Sequence, residues 1–283
     1  MVKQSLLADF HKRNHAVFGE RDGWLLPEHF GNANAEYTAA RSSVGLLDLS
    51  HRAMLQFSGA DRLSFLQGML SNDLRPLKMF DGQQSAILTQ QGKIIADVRV
   101  LCSMNSFYLD FWEPLKEKIL AHLNRYLVAD EVEIVDPNDN WKMLSVQGPQ
   151  TEILLKEVFG HPALPSQPMG HGMIEFNGSP VCVVRAHHFS EIGFDIIVAT
   201  TALNHVAQRL TEIADKYHGA WIGEQAQNIL RVEAGVPRYG VDMTEDNLVL
   251  ETGLDQSVSF TLTTGTPAKI DIASYILHAT VSH

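Results

Sequence analysis

The sequence predicts an α+β fold built from two similar units, each with an antiparallel sheet covered on one side by helices. An internal repeat is the first reason, because MLQFSG at 54–59 and MLSVQG at 143–148 match in residue type and spacing, and a helical pattern follows each. Further strand patterns at 107–111 and 193–198 are each followed by an amphipathic helix. Two such units packed together would leave a cleft, a usual place for a small-molecule site.

Composition describes an ordinary globular chain and excludes several classes of function. The 283 residues are 45% hydrophobic and 19% charged, enough for a sizeable core and two domains. A formal charge of -11 argues against tight nucleic-acid binding over a broad face. No apolar run is long enough to span a membrane, and neither a signal nor a transit peptide is evident. We therefore expect a cytoplasmic protein, or a mitochondrial matrix protein if the source is eukaryotic.

The first 52 residues predict short elements. Residues 4–18 have the pattern of an amphipathic helix, whereas 23–32 contain two glycines and a proline and predict an irregular connection. Residues 35–52 begin with a helical pattern and turn apolar before a strand predicted over Met54–Phe57.

A β-hairpin is predicted over 85–101, because two apolar runs flank the polar, glycine-containing loop at 90–93. In its second strand one face carries Ile94, Ala96, Val98 and Val100, and the other carries Ile95, Asp97 and Arg99. Two interpretations of Asp97 stay open. On an open face, Asp97 and Arg99 form a solvated pair of little energetic value. On the wall of a cleft, Asp97 is a fixed carboxylate that could orient a cationic or protonated ligand nitrogen.

Two more charged residues are candidates for ligand contact. Glu191 lies just before Gly193 at a strand entrance, where it could accept hydrogen bonds from the amino and ring N–H groups of a heterocycle, or could be an ordinary turn carboxylate. Arg231 lies near the C-terminal end of a helix predicted over 223–235. It could cap that helix, or form a bidentate pair with a ligand carboxylate.

Histidine and cysteine spacing predicts no metal site. His51 at a strand entrance could contact a ligand, although a lone histidine is more often structural. The pair His187–His188 has no third ligand at a recognisable spacing. Cys102 and Cys182 lie within apolar runs and are interpreted as small buried hydrophobes in a reducing compartment.

Several motifs together carry a resemblance to a known family. The stretch RVEAGVPRYGVDMTEDNLVLETGLDQSVSFT at 231–261 resembles the folate-binding superfamily of the glycine-cleavage T-protein (aminomethyltransferase) and the YgfZ-type iron-sulfur assembly factors. The stretch at 45–74, the hairpin, and GWLLP at 23–27 are similar to the same family, so the resemblance covers most of 7–261. It implies ferredoxin-like halves and a C-terminal barrel around a central hole that takes tetrahydrofolate.

The resemblance also implies roles for the three charged candidates. Asp97 matches an aspartate near the reactive folate nitrogens, Glu191 a pterin-contacting glutamate, and Arg231 a folate-binding arginine. The implied cofactor is tetrahydrofolate or a one-carbon derivative. In the aminomethyltransferases a folate nitrogen attacks an aminomethyl carbon on a lipoyl arm as ammonia leaves. A carboxylate placed like Asp97 would stabilise the developing positive charge.

Two motifs favour one branch of the superfamily. GVPRYG at 235–240 and VSFT at 258–261 resemble the assembly factors, while GWLLP is closer to the T-proteins. The predicted function is therefore a tetrahydrofolate-binding accessory factor for iron-sulfur cluster assembly or repair, with iron-sulfur proteins, including tRNA-modifying enzymes, or assembly factors as partners. The alternatives are a folate-dependent aminomethyltransferase that uses Asp97 and a lipoyl carrier protein, or an inactive truncated fragment of either.

After Thr261 the sequence departs from the assembly branch. A Lys-Gly-Cys-Tyr-x-Gly-Gln-Glu motif is expected there, and neither Cys102 nor Cys182 can take the place of its cysteine. We expect either a truncated or frame-altered gene or a variant without the cysteine chemistry, and in both cases a fold whose C-terminal barrel is lost. The expected domains are an N-terminal segment at 1–52 packing with the second unit, a first unit at 53–138, a second unit at 139–261 and a non-matching tail at 262–283.

Overall fold

A computed structural model describes residues 2–259 of the chain. The chain divides into two compact units. Among the described residues, unit 1 consists of 2–53 and 136–236, and unit 2 consists of 54–135 and 237–259. The predicted tail at 262–283 lies outside the described residues, and the division into domains predicted from sequence stays a prediction.

The elements follow one another in three stretches. The first contains β1 (Lys3–Gln4), α1 (Ala8–Arg13), β2 (Val17–Arg21), β3 (Trp24–His29), α2 (Ala33–Ser42) and β4 (Gly45–Asp48). The second contains β5 (Arg52–Ser58), α3 (Arg62–Met69), β6 (Gly82–Leu88), β7 (Ile94–Cys102), β8 (Phe107–Trp112), α4 (Lys116–Asn124) and β9 (Glu133–Val135). The third contains β10 (Trp141–Gln147), α5 (Thr151–Phe159), β11 (His171–Phe176), β12 (Ser179–Arg185), β13 (Gly193–Ala199), α6 (Leu203–Lys216), β14 (Ala220–Trp221) and α7 (Glu224–Glu233).

Unit 1 is organised around a six-stranded sheet in the order β11-β12-β13-β10-β4-β14. Its pairs are antiparallel except β14 with β4, which is parallel. The amphipathic helix predicted after 193–198 is α6, and its apolar stripe is buried in one core with this sheet, because residues three and four apart share a helix face. The stripe consists of Leu203, Val206, Leu210 and Ile213.

A smaller three-stranded sheet, β1-β3-β2, corrects two predictions for the first part of the chain. The connection predicted over 23–32 contains the strand β3, in which Trp24 and Leu26 are buried. Pro27 is tolerated because it is not among the β3 residues that pair with β1. The helix predicted over 4–18 is confined to α1, after which His15 takes a positive φ of 65° and the chain enters β2.

Unit 2 contains a five-stranded sheet in the order β6-β7-β8-β5-β9. The predicted hairpin is confirmed as β6 paired antiparallel with β7. The core-facing set of β7 is buried as predicted, and Asp97 and Arg99 on the other face are half-buried. Ile95 is buried as well, so this second face of β7 is not an open surface at its start.

The α+β class predicted from the sequence is therefore confirmed, and the strand–helix repeat corresponds to β5–α3 and β10–α5. Within 2–259 no sheet closes into a barrel, and no helix combines the length and apolarity needed to cross a bilayer. Cys102 is buried and Cys182 is half-buried. Burial raises the pKa of the Cys182 thiol to about 12, which keeps it protonated and unreactive.

Candidate functional site

Unit 1 contains a cavity of about 550 Å³. Its wall is formed by the loop at 187–192 between β12 and β13, by Ala40 and Arg41 near the end of α2, and by Glu233, Ala234 and Val236 where α7 ends. A volume of this size is within the range of small-molecule sites in proteins.

The loop at 187–192 is held from beneath by Gln147, a fully buried side chain at the end of β10. Gln147 Nε2 donates to the Ala186 carbonyl at 2.9 Å, and Gln147 Oε1 accepts from the His188 backbone N–H at 3.2 Å. The Ala186 N–H donates to the Gly193 carbonyl at 3.0 Å, which closes the base of the loop. The loop therefore presents its side chains from a fixed backbone.

Glu191 is exposed on this loop and lines the cavity. It makes no hydrogen bond or ion pair with the described residues of unit 1. The other carboxylate of the wall, Glu233, accepts hydrogen bonds from the Arg41 guanidinium and from the Tyr37 hydroxyl. The bond to Arg41 lowers the pKa of Glu233, and the same bond raises that of Arg41. Glu191 is thus the carboxylate left to accept N–H groups of a ligand.

His188 lies next to Glu191 in the cavity wall and is oriented by a buried carboxylate. Its Nε2 lies 2.8 Å from Oδ1 of Asp195, a residue of β13 with no exposed surface. The neighbouring His187 keeps much of its surface in solvent, and partial desolvation of its ring, together with the charges of Arg185 and His188, lowers its pKa.

His51, which sequence analysis considered as a possible ligand contact, is buried. Burial lowers its pKa to about 3, since the attraction of Asp48 is outweighed by desolvation and by the positive charges of Arg52 and Arg21. The neutral ring is part of the interior of unit 1, in keeping with a structural role.

Arg231 is buried near the end of α7, with 6% of its surface exposed. Its Nε donates to Asn228 Oδ1 at 2.8 Å and its Nη1 donates to the Val236 carbonyl at 3.1 Å. These contacts are those of the capping alternative, because they tie the chain after α7 back to the helix. The folate contact implied by the resemblance stays a prediction.

Asp97 belongs to unit 2, whereas Glu191 and Arg231 both belong to unit 1. Arg99, which one of the two open interpretations pairs with Asp97 in solvent, forms an ion pair with Asp110 of β8, which is 1% exposed. Glu191 and Val236, whose carbonyl accepts the Arg231 hydrogen bond, therefore line one cavity of unit 1. Asp97 lies on β7, where the nearby Arg99 is held by its ion pair with Asp110.

The sequence patterns did not predict the pairing of His188 with Asp195 or that of Arg41 with Glu233. A signal for the first pair was present, because Asp195 stands in the apolar run GFDIIV, where a buried carboxylate requires a partner. In the stretch 2–259 no group of three or more histidine, cysteine or acidic side chains is arranged to hold a metal ion.

The fold and the cavity are those of an α+β protein with a site of small-molecule size. The chain belongs to the family described as the GCVT N-terminal domain, whose model matches residues 7–261. This family assignment agrees with the folate-binding superfamily to which the sequence motifs point.

Individual relatives agree with this assignment. The chain is 28% identical over 260 residues to the aminomethyltransferase of Bacillus subtilis (strain 168), covering 91% of this chain and 72% of the relative. It is 28% identical over 278 residues to a probable aminomethyltransferase of Pyrococcus horikoshii, covering 90% and 69%. The crystal structure of glycine cleavage system aminomethyltransferase T from Bartonella henselae shares the fold, with a TM-score of 0.84 at 24% identity over 92% of this chain and 70% of that one.

These comparisons change the choice between the two branches. The relatives are named aminomethyltransferase, which is the alternative considered in the sequence analysis. None of the three supports the YgfZ-type branch or the iron-sulfur partners that the motifs at 235–261 favour. The superfamily predicted from the sequence is confirmed, and the preference within it is not supported.

Proposed function

We propose that this protein binds tetrahydrofolate, or a one-carbon derivative, and acts as a folate-dependent aminomethyltransferase with a lipoyl carrier protein as its partner. The observation that carries the proposal is Glu191, a carboxylate on a fixed loop that lines a cavity of about 550 Å³, in a chain of the GCVT N-terminal domain family.

The residues of the cavity fit a pterin. Its amino and ring N–H groups are hydrogen-bond donors, and the Glu191 carboxylate is an acceptor without a competing partner in unit 1. The other charges of the wall, Arg41 and Glu233, neutralise each other. A ligand with a neutral, donor-rich edge is therefore favoured over an anionic group at this wall.

When bound, tetrahydrofolate would supply the nitrogens that take up the one-carbon unit of the aminomethyl group, while ammonia and the lipoyl thiol leave with the two protons that those nitrogens lose. Asp97, on the stiff strand β7, would stabilise positive charge that develops at a reacting nitrogen. Glu191 would hold the heterocycle in place.

A binding experiment tests the ligand. We expect saturable binding of tetrahydrofolate in calorimetry, and a loss of about tenfold or more in affinity for Glu191→Gln, because the negative charge and one of the two acceptor oxygens are replaced by a neutral NH2 donor. Glu175→Gln is the matched control, since Glu175 is an exposed glutamate of β11 in the same unit. Absence of binding by folded wild-type protein, or wild-type affinity in Glu191→Gln, would overturn the assignment.

A turnover experiment tests the reaction. With an aminomethyl-loaded lipoyl carrier protein, wild-type protein is expected to release ammonia and form methylene-tetrahydrofolate. Asp97→Asn is expected to lower kcat by about 100-fold with little change in folate affinity, since the charge acts on the transition state. Asp130→Asn, at an exposed position of unit 2, is the control. Folate binding without turnover, together with rescue of iron-sulfur enzymes in a deletion strain, would favour the accessory-factor alternative.

A further inference from the structure

We propose that His188 and Asp195 form a ligand-binding dyad, in which His188 presents its Nδ1 to the ligand as a second hydrogen-bond acceptor beside Glu191 and Asp195 is the positioning residue. The proposal rests on the proposed function, because its ligand is the donor-rich heterocycle of tetrahydrofolate.

The geometry of the dyad is fixed at both of its members. Asp195 lies on β13, which pairs with β12 on one side and with β10 on the other, so its backbone has no freedom to shift. The backbone N–H of His188 is bonded to Gln147 Oε1, and its ring Nε2 lies 2.8 Å from Asp195 Oδ1. An imidazole held at its backbone and at one ring nitrogen has one orientation.

That orientation determines the chemistry of the other ring nitrogen. A carboxylate can only accept a hydrogen bond, so the neutral ring carries its proton on Nε2, and Nδ1 keeps a lone pair. Among the described residues of unit 1, Nδ1 has no hydrogen-bond partner. The side chain is 18% exposed and lines the cavity, so its free acceptor is directed to a ligand rather than to the interior.

Glu191 and His188 therefore place two acceptors on one short loop. A ligand edge with two donors, such as an amino group beside a ring N–H, matches both, whereas an edge with acceptors is rejected by both.

A pair of substitutions separates the two ring nitrogens. His188→Gln keeps a donor for Asp195 at the position of Nε2 but removes Nδ1, and His188→Asn keeps an acceptor near the position of Nδ1 but loses Asp195. We expect tetrahydrofolate affinity to fall about tenfold in His188→Gln and less than threefold in His188→Asn, as one ligand hydrogen bond is lost or kept. His205→Gln, an exposed histidine of α6, is the control for loss of an imidazole.

The role of Asp195 has its own readout. Asp195→Asn can donate to Nε2 and thereby move the ring proton to Nδ1, which is expected to weaken binding as His188→Gln does. Ring nitrogen NMR of wild-type protein is expected to show the Nε2–H form and a shift of Nδ1 on addition of tetrahydrofolate.

The outcomes separate this proposal from the proposed function. Tetrahydrofolate binding by wild type that is unchanged in His188→Gln, or an Nδ1 signal that does not respond to the ligand, overturns the dyad and leaves the function standing. Failure of folded wild-type protein to bind tetrahydrofolate overturns both. If a variant does not fold, the NMR measurement on wild type still decides.

Discussion

Arg99 on β7 and Asp110 on β8 lie directly opposite each other, and the guanidinium Nε donates a hydrogen bond to the Asp110 carboxylate. Asp110 is 1% exposed and Arg99 is 13% exposed. The pair anchors the charged face of the strand that carries Asp97, the residue proposed to act on the reacting nitrogen.

Asp110→Ala is expected to lower the free energy of unfolding of the protein by about 3 kcal/mol, because it leaves the Arg99 charge buried without its carboxylate. Replacing both residues, as Arg99→Met with Asp110→Leu, is expected to recover at least half of the loss. Urea denaturation of the two single variants and the double variant measures this coupling. A loss below about 1 kcal/mol in Asp110→Ala would show that the pair is no more than a surface pair.

Asp48, at the end of β4, is expected to make stability depend on pH in the acid range. Burial opposes its ionisation, but hydrogen bonds from His11, Ser5 and Ser50 outweigh burial and lower its pKa from 3.8 to about 2. A lowered carboxyl pKa stabilises the fold above the unfolded value, and this contribution is lost as pH falls from about 4 to 2. We expect a loss of about 2 kcal/mol over this window in wild type and a flatter profile in Asp48→Asn, measured by urea denaturation at each pH. If the stability of wild type and of Asp48→Asn fell in parallel with pH, Asp48 would not be the source of this pH dependence.

His51 is expected to make stability depend on pH at higher pH values than Asp48 does. Its pKa lies at about 3 in the fold, below the ordinary value of 6.5, because burial penalises the charged ring. The unfolded chain therefore binds the additional proton, so the full stability is present above pH 6.5 and declines as pH falls towards 3, by on the order of 5 kcal/mol. His51→Gln should flatten the slope between pH 6.5 and 4, and the exposed His205→Gln should not. An unchanged slope in His51→Gln would mean that the ring protonates in the fold as it does in water.

The elements that sequence analysis predicted correctly have strong local signals. The periodicity of α6 and the alternation in β7 follow directly from burial on one face. The strand β3 was not predicted because Gly23, Pro27 and Gly31 together indicated an irregular connection, although Pro27 lies beyond the residues paired with β1. The hairpin of β11 and β12 went unpredicted, despite a turn at Asn177-Gly178 in which both residues take positive φ, a strong hairpin signal.

The candidate site was less accessible to sequence analysis, because its wall is assembled from distant segments. Arg41 and Glu233 meet only once α2 and α7 pack together. The partner of Arg99 depends on the register of β7 against β8, which a side-chain pattern of period two does not specify. Glu191 could be singled out since its loop position and its chemistry are both local properties.

Arg231→Ala is expected to lower both stability and folate affinity. The Arg231 guanidinium donates hydrogen bonds to Asn228 and to the carbonyl of Val236, which lines the cavity. Removing the guanidinium should therefore lower the free energy of unfolding by about 2 kcal/mol and loosen this wall of the cavity. Denaturation and calorimetry on the same variant separate two roles. A fall in affinity with unchanged stability would show that Arg231 contacts the ligand directly, as the family resemblance implies, and does not act through the cavity wall.

Gly193→Ala tests whether the loop that carries Glu191 and His188 is held by Gln147. A Cβ at this position would lie 2.1 Å from Gln147 Oε1. Gln147 is fully buried and bonded to Ser145 Oγ, to the Ala186 carbonyl and to the His188 N–H, so it cannot move without losing those bonds. We expect a loss of about 2 kcal/mol in the free energy of unfolding.

The same substitution is expected to weaken tetrahydrofolate binding at least fivefold, because the loop no longer holds both side chains in position. Gly172→Ala on β11 is the matched control, since a Cβ there meets no atom within 4 Å and its stability and affinity should stay at wild-type values. Equal affinity in the two variants would mean that the cavity wall adjusts to a displaced Gln147 and that the fixed loop is not required for binding.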